Sequence, residues 1–122
     1  MKTATAEIFL HQRGITVVRI DRGAKQTLVD AESNLATAIL AGEGVRRPLL
    51  TDIRYCEPMT PEARRYYSGK ILVDSFTALA MLIHNSTFGT MMGNIYLKIA
   101  KPGIPTQLFT DEGEALDWLA KH

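Results

Sequence analysis

With 122 residues, 46% of them apolar and 22% charged, the chain can bury one core without disulfides or metals and is read as a single domain. A formal charge of +1 argues against a global electrostatic pull on nucleic acid or an anionic membrane, and the single cysteine, Cys56, excludes an internal disulfide and fits a reducing cytoplasm. The opening MKTATAEIFL lacks the apolar run of a signal peptide, and the longest apolar stretch, Ala78–Ile83, is far too short to span a bilayer; the expectation is a cytoplasmic protein with no membrane insertion and no nucleic-acid partner.

Two β-type runs come first, Ala6–Leu10 and Ile15–Ile20. Gln12-Arg13-Gly14 lies between them, and a glycine there permits positive φ, so the pair predicts a hairpin. Thr27 then stands as N-cap before LVDAESNLATAILAG, where Leu28, Ala31, Leu35, Ala38 and Ile39 fall at helical spacing. Asp30 favours the positive end of that helix, and Gly42 or Gly44 stops it. Pro48–Ile53 reads as a third strand covered on both sides. Thr60 caps a helix with Pro61 at its first position, and the pattern extends that helix to Val73.

Phe76–Ile83 is apolar on both alternating sets and predicts a central strand. Ser86 caps a further helix whose stripe is Phe88, Met91, Met92, Ile95 and Ile99, ended by Pro102. Thr106–Phe109 is a last short strand. Thr110 or Asp111 caps a closing helix with Asp111, Glu112 and Glu114 at its start and Lys121 and His122 at its end, charges that complement the helix dipole. The order ββαβαβαβα predicts an α/β domain: a mixed, mostly parallel sheet, an N-terminal hairpin and about four helices.

Three segments carry a family resemblance: Leu49–Arg54 running into the helix capped at Thr60, the buried strand Phe76–Ile83, and the closing QLFTDEGEALDWL, Gln107–Leu119. Together with Gly93–Phe109 they resemble small bacterial proteins related to the STAS domains of anti-sigma-factor antagonists. The resemblance implies a SpoIIAA-like fold, shared with the lipid-binding CRAL-TRIO domains. In STAS antagonists a phosphorylatable serine opens the helix after the Asp-bearing strand. Here Pro61 falls at or near that position, so Thr60 is the one neighbouring phosphorylation candidate, and it reads more simply as an N-cap.

The unit Arg47–Arg65 places strand, loop and helix start in succession, and ligands of open α/β sheets bind beyond the carboxyl ends of strands. Asp52, Arg54, His84, Asn85 and Ser86 fall at such ends, of the third and fourth strands, and form a candidate ligand cleft; the plainer alternative is an Asp52–Arg54 surface pair with His84 satisfied by loop carbonyls. Cys56 and the three histidines are scattered, with no metal-ligand spacing and no nucleophile motif, so no metal or cofactor is expected. Arg64, Tyr66 and Tyr67, with Met91 and Met92, are interface residue types on helices, where sequence neighbours diverge by about 100°. They suggest a docking surface for an unknown protein partner or a homodimer.

The reading is a non-enzymatic regulatory or protein-interaction module. The alternative is a small-molecule or lipid-like ligand held in the cleft near Asp52 and His84. A third reading is a small hydrolase using Cys56 or His84.

Overall fold

The hairpin closes where the glycine predicts. Gly14 has φ 78°, its N–H donates to the His11 carbonyl at 2.9 Å, and the His11 N–H donates to Ile15 O at 2.8 Å. Strand β1 (Ala6–Leu10) thereby runs antiparallel to β2 (Thr16–Ile20), in a register from Ala6 opposite Ile20 to Leu10 opposite Thr16. The computed structural model describes residues 1–85 and 103–122. Its remaining elements are α1 (Leu28–Ala41), β3 (Arg47–Asp52), α2 (Pro61–Tyr67), α3 (Lys70–Ser75), β4 (Phe76–Leu82), β5 (Thr106–Phe109) and α4 (Glu112–Leu119).

The five strands lie in sequence order, and β2 through β5 are mutually parallel. The mixed sheet with its N-terminal hairpin is as the sequence predicts. The structure refines the middle of the sheet: β3 holds the central position, and β4 is an interior strand between β3 and β5. The outer edge of β1 is covered by the start of the chain, where Ile8 N–H donates to Met1 O at 2.7 Å and the Met1 ammonium donates to Ile8 O at 2.5 Å.

Alternation along the strands creates two cores. On one face, Ile8, Val18, Ile20, Leu49, Leu79 and Met81 pack with Leu35 and Ala38 of α1 and Leu72 of α3. On the other, Val17, Leu50, Ala78, Ala80 and Leu82 pack with Ala115, Leu116 and Leu119 of α4. Ala78 and Ala80 are fully buried on that second face, and their small side chains leave room for the helix.

Local chemistry sets the helix ends. The Thr27 N–H and hydroxyl both donate to Asp30 Oδ2, at 2.9 and 3.0 Å. Thr60 Oγ1 accepts from the Ala63 N–H at 3.3 Å, and Asp111, not Thr110, caps α4 by accepting from the Glu114 N–H at 2.9 Å. One expected helix is corrected. The stretch from Pro61 to Val73 breaks at Ser68-Gly69 into α2 and α3, with the Gly69 N–H turned back to Tyr66 O at 3.1 Å. A Cβ at position 69 would sit 3.1 Å from that same carbonyl, so the turn suits glycine. Leu28, assigned to the inward stripe of α1, is 40% exposed, whereas Asn34 is buried and shares the inner face with Ala31, Leu35 and Ala38. The helix expected after Ser86 lies outside the described residues.

Candidate functional site

At the carboxyl ends of β2 and β3, parallel pairing sets Arg19 beside Asp52. Asp52 shares a face with Leu50 and is only 5% exposed. It is answered from two sides. Arg54 grips it with one edge of its guanidinium, Nε to Oδ1 at 3.0 Å and Nη2 to Oδ2 at 2.8 Å, and its backbone N–H adds a third bond at 3.2 Å. Arg19 Nη1 donates to Asp52 Oδ2 at 3.0 Å and to Glu112 Oε1 of α4 at 2.5 Å. Burial pushes the Asp52 carboxyl up, but the bonds from Arg54 and Arg19 outweigh it and hold the group below its ordinary range. The Arg19 hydrogen bond likewise holds Glu112 low.

Around this base lies an aromatic cluster. Tyr55 is 41% exposed, with the Arg22 guanidinium 4.5 Å and the Arg54 guanidinium 5.2 Å from its ring centroid. His84 meets the same ring edge-on at 5.8 Å. The sequence-expected group is therefore brought together in part. Asp52 and Arg54 form an ion pair, buried on the carboxylate side rather than lying at the surface. His84 joins through Tyr55, and Asn85 is exposed beside it. Ser86 lies outside the described residues. Arg19, Arg22, Tyr55 and Glu112 were not among the sequence candidates. A signal for three of them was available: Arg19 and Arg22 lie at the end of β2 and Tyr55 just beyond β3, so parallel pairing puts them at one end of the sheet.

The helix residues sort differently. Ala63 sets the inward face of α2, and Tyr67 one turn later follows it. The Tyr67 hydroxyl donates to Gln26 Oε1, which also accepts from Asn34 Nδ2 at 3.0 Å; Asn34 Oδ1 in turn accepts from the Thr3 hydroxyl at 2.6 Å. Burial raises the Tyr67 phenol well above its ordinary range. Tyr66 is half-buried against the core and meets Tyr67 edge-on at 6.2 Å. Arg64 and Tyr67, expected to face a partner, instead line a cavity of about 80 Å³ between α1, α2 and the sheet, walled by side chains such as Leu35, Ala38, Leu49 and Met81. The aromatic pair on which the homodimer expectation rests is thus partly withdrawn from the surface. Met91 and Met92 lie outside the described residues.

The cavity and the Asp52 group are separated by the pleat. Thr51 and Ile53 face the cavity, whereas Asp52 faces away, so the ligand cleft expected near Asp52 and His84 does not coincide with this cavity. Cys56 is half-buried, its thiol 3.6 Å from Ile53 O and pushed up to about 11 by burial, and it meets no histidine among the described residues. Among those residues no group of three His, Cys, Asp or Glu is placed to hold a metal ion, and no helix is long and apolar enough to cross a membrane.

The sheet order and helix placement define a SpoIIAA-like fold. The crystal structure of an uncharacterized protein of the DUF3478 family with that fold, from Shewanella loihica PV-4, matches over 98% of each chain with a TM-score of 0.60 at 20% identity. The chain belongs to the family described as a domain of unknown function, DUF7793, whose model matches residues 9–122. No curated protein matches it.

Proposed function

We propose that the protein is a non-enzymatic regulatory or protein-interaction module that receives its partner on the strand-end cluster of Arg22, Arg54, Tyr55 and His84. The observation that carries this reading is Tyr55, a large aromatic side chain left 41% exposed while two guanidinium groups lie against its ring. Tyrosine and arginine are the residue types in which binding energy concentrates at interfaces. The cluster is also ordered before any partner arrives, since Asp52 fixes Arg54 through its paired hydrogen bonds. Arg19, Arg22 and Arg54 outnumber Asp52 and Glu112 within it, so the complementary surface is acidic.

The test is photo-crosslinking in the native cell from a benzophenone amino acid placed at position 55, with exposed position 32 on α1 as control. The expected result is a protein adduct from position 55 that position 32 does not give. The purified partner should then lose roughly tenfold or more in affinity on Tyr55→Ala. Indistinguishable adducts from the two positions, or a partner indifferent to Tyr55→Ala, would overturn the reading.

A further inference from the structure

The two arginines that flank the β3–α2 connection are treated unlike one another. Arg54 presents the edge formed by Nε and Nη2 to the Asp52 carboxylate. The corresponding edge of Arg64 meets no carboxylate among the described residues. Arg64 Nη1 donates to Met59 O at 3.2 Å, while its Nε is buried and has no hydrogen-bond partner among the described residues. A buried donor without an acceptor is unfavourable, more so on a charged group. Arg64 also lines the cavity, whose other walls are mainly aliphatic.

We infer that this cavity is a binding site for a small aliphatic carboxylate, its acid group held by the free edge of Arg64 and its hydrocarbon body lying among Leu35, Ala38, Leu49, Leu79 and Met81. Each part of the ligand follows from a part of the wall. The guanidinium edge matches a carboxylate with two parallel hydrogen bonds, as the Arg54–Asp52 pair shows in the same molecule. The aliphatic wall favours an unsubstituted chain, because a polar group placed there would lose its water without replacement. The hydroxyl of Tyr67 is already committed to Gln26, so Arg64 is the group left to orient the acid. A cavity of about 80 Å³ has room for on the order of six non-hydrogen atoms. That size selects short chains over membrane-length lipids.

The test uses the full chain with methyl-labelled leucine and methionine, titrated with sodium butanoate, butan-1-ol and butylamine and followed by NMR. Butanoate should shift the methyl signals of Leu35, Leu49, Leu79 and Met81 and bind roughly tenfold or more tighter than butanol. Butylamine should not bind there. Arg64→Met should abolish the preference for the acid over the alcohol, and Ala38→Leu, which fills the cavity, should abolish both. Should Arg64→Met fail to fold, Arg64→Lys keeps the charge without the fork, and a smaller preference is then expected. Equal binding of acid and alcohol would overturn the carboxylate assignment while leaving a ligand cavity. Silence of all four methyl groups, or shifts confined to the surroundings of Tyr55, would overturn the site itself. None of these outcomes bears on the docking surface, which crosslinking at position 55 tests separately.

Discussion

The two faces of the sheet handle a partly buried arginine in opposite ways. On the α4 side, the Arg54 edge is closed by Asp52, Arg19 bridges onward to Glu112, and the core beneath is filled by Leu50, Leu82 and Leu119. On the α1 and α2 side, the Arg64 Nε finds no acceptor among the described residues and lies beside a cavity. A closed ion network makes a rigid base for a surface. An open guanidinium beside aliphatic walls leaves capacity for a molecule that is not part of the chain.

The largest expected effect comes from emptying the filled face. Leu82 is fully buried, and Leu82→Ala should cost about 3–4 kcal/mol in urea denaturation, through lost burial and the hole left behind. A loss below about 1 kcal/mol would show that α4 does not seal this face. Next, Asp52→Ala strands the Arg19 and Arg54 guanidiniums. Both remain partly exposed to water, so the expected loss is about 3 kcal/mol, at the low end for breaking a buried pair. If Asp52→Ala and Arg64→Met were equally destabilising, the contrast between the faces would fail.

Acid provides a finer probe of the same network. Asp52 and Glu112 both have folded values held below their ordinary ones. Their stabilisation is fully present above the unfolded carboxylate range, near pH 4, and is lost as the pH falls through the lowered folded values. Stability measured from pH 6 downward should therefore drop below about pH 4, and Glu112→Gln should flatten that drop. An unchanged acid limb in that variant would remove Glu112 from the network.

Thr60→Ala should cost about 1 kcal/mol through loss of the α2 cap, and Thr60→Asp should preserve it. Thermal unfolding of both variants measures the difference, and equal losses would deny Thr60 its role as a cap. The smallest effect belongs to Arg64→Met, expected to change stability by no more than about 0.5 kcal/mol, because losing the Nη1 hydrogen bond to Met59 O is offset by removing a buried Nε that has no acceptor among the described residues. A loss of several kcal/mol on that substitution would mean that Arg64 is already satisfied.

The strands, the hairpin and three of the caps were legible in the residues alone. Periods of two and 3.6 show themselves in local sequence, and Gly14, Thr27, Thr60 and Asp111 act on neighbours only two or three residues away. The break at Gly69 was less legible. Tyr66 O is only three residues from Gly69, but the apolar pattern runs on through Ile71 and Leu72 and hides the glycine turn within one helical stripe. Of the candidate sites, the Asp52–Arg54 pair could be read because its members are two residues apart. The Arg19–Glu112 bridge could not, since it joins positions 93 residues apart through sheet pairing and the docking of α4. The same holds for Arg64 and Tyr67. Composition marks them as interface types, but the direction a helix turns its side chains is set by what the helix packs against. Sequence by itself determined the order of the described elements and, the break at Ser68-Gly69 apart, the approximate positions of their ends, because those depend on local dihedral preference and nearby hydrogen bonds. Only the tertiary structure decided which arginine is paired and which is left open beside a cavity, because pairing depends on distances between strands and helices that no local pattern contains.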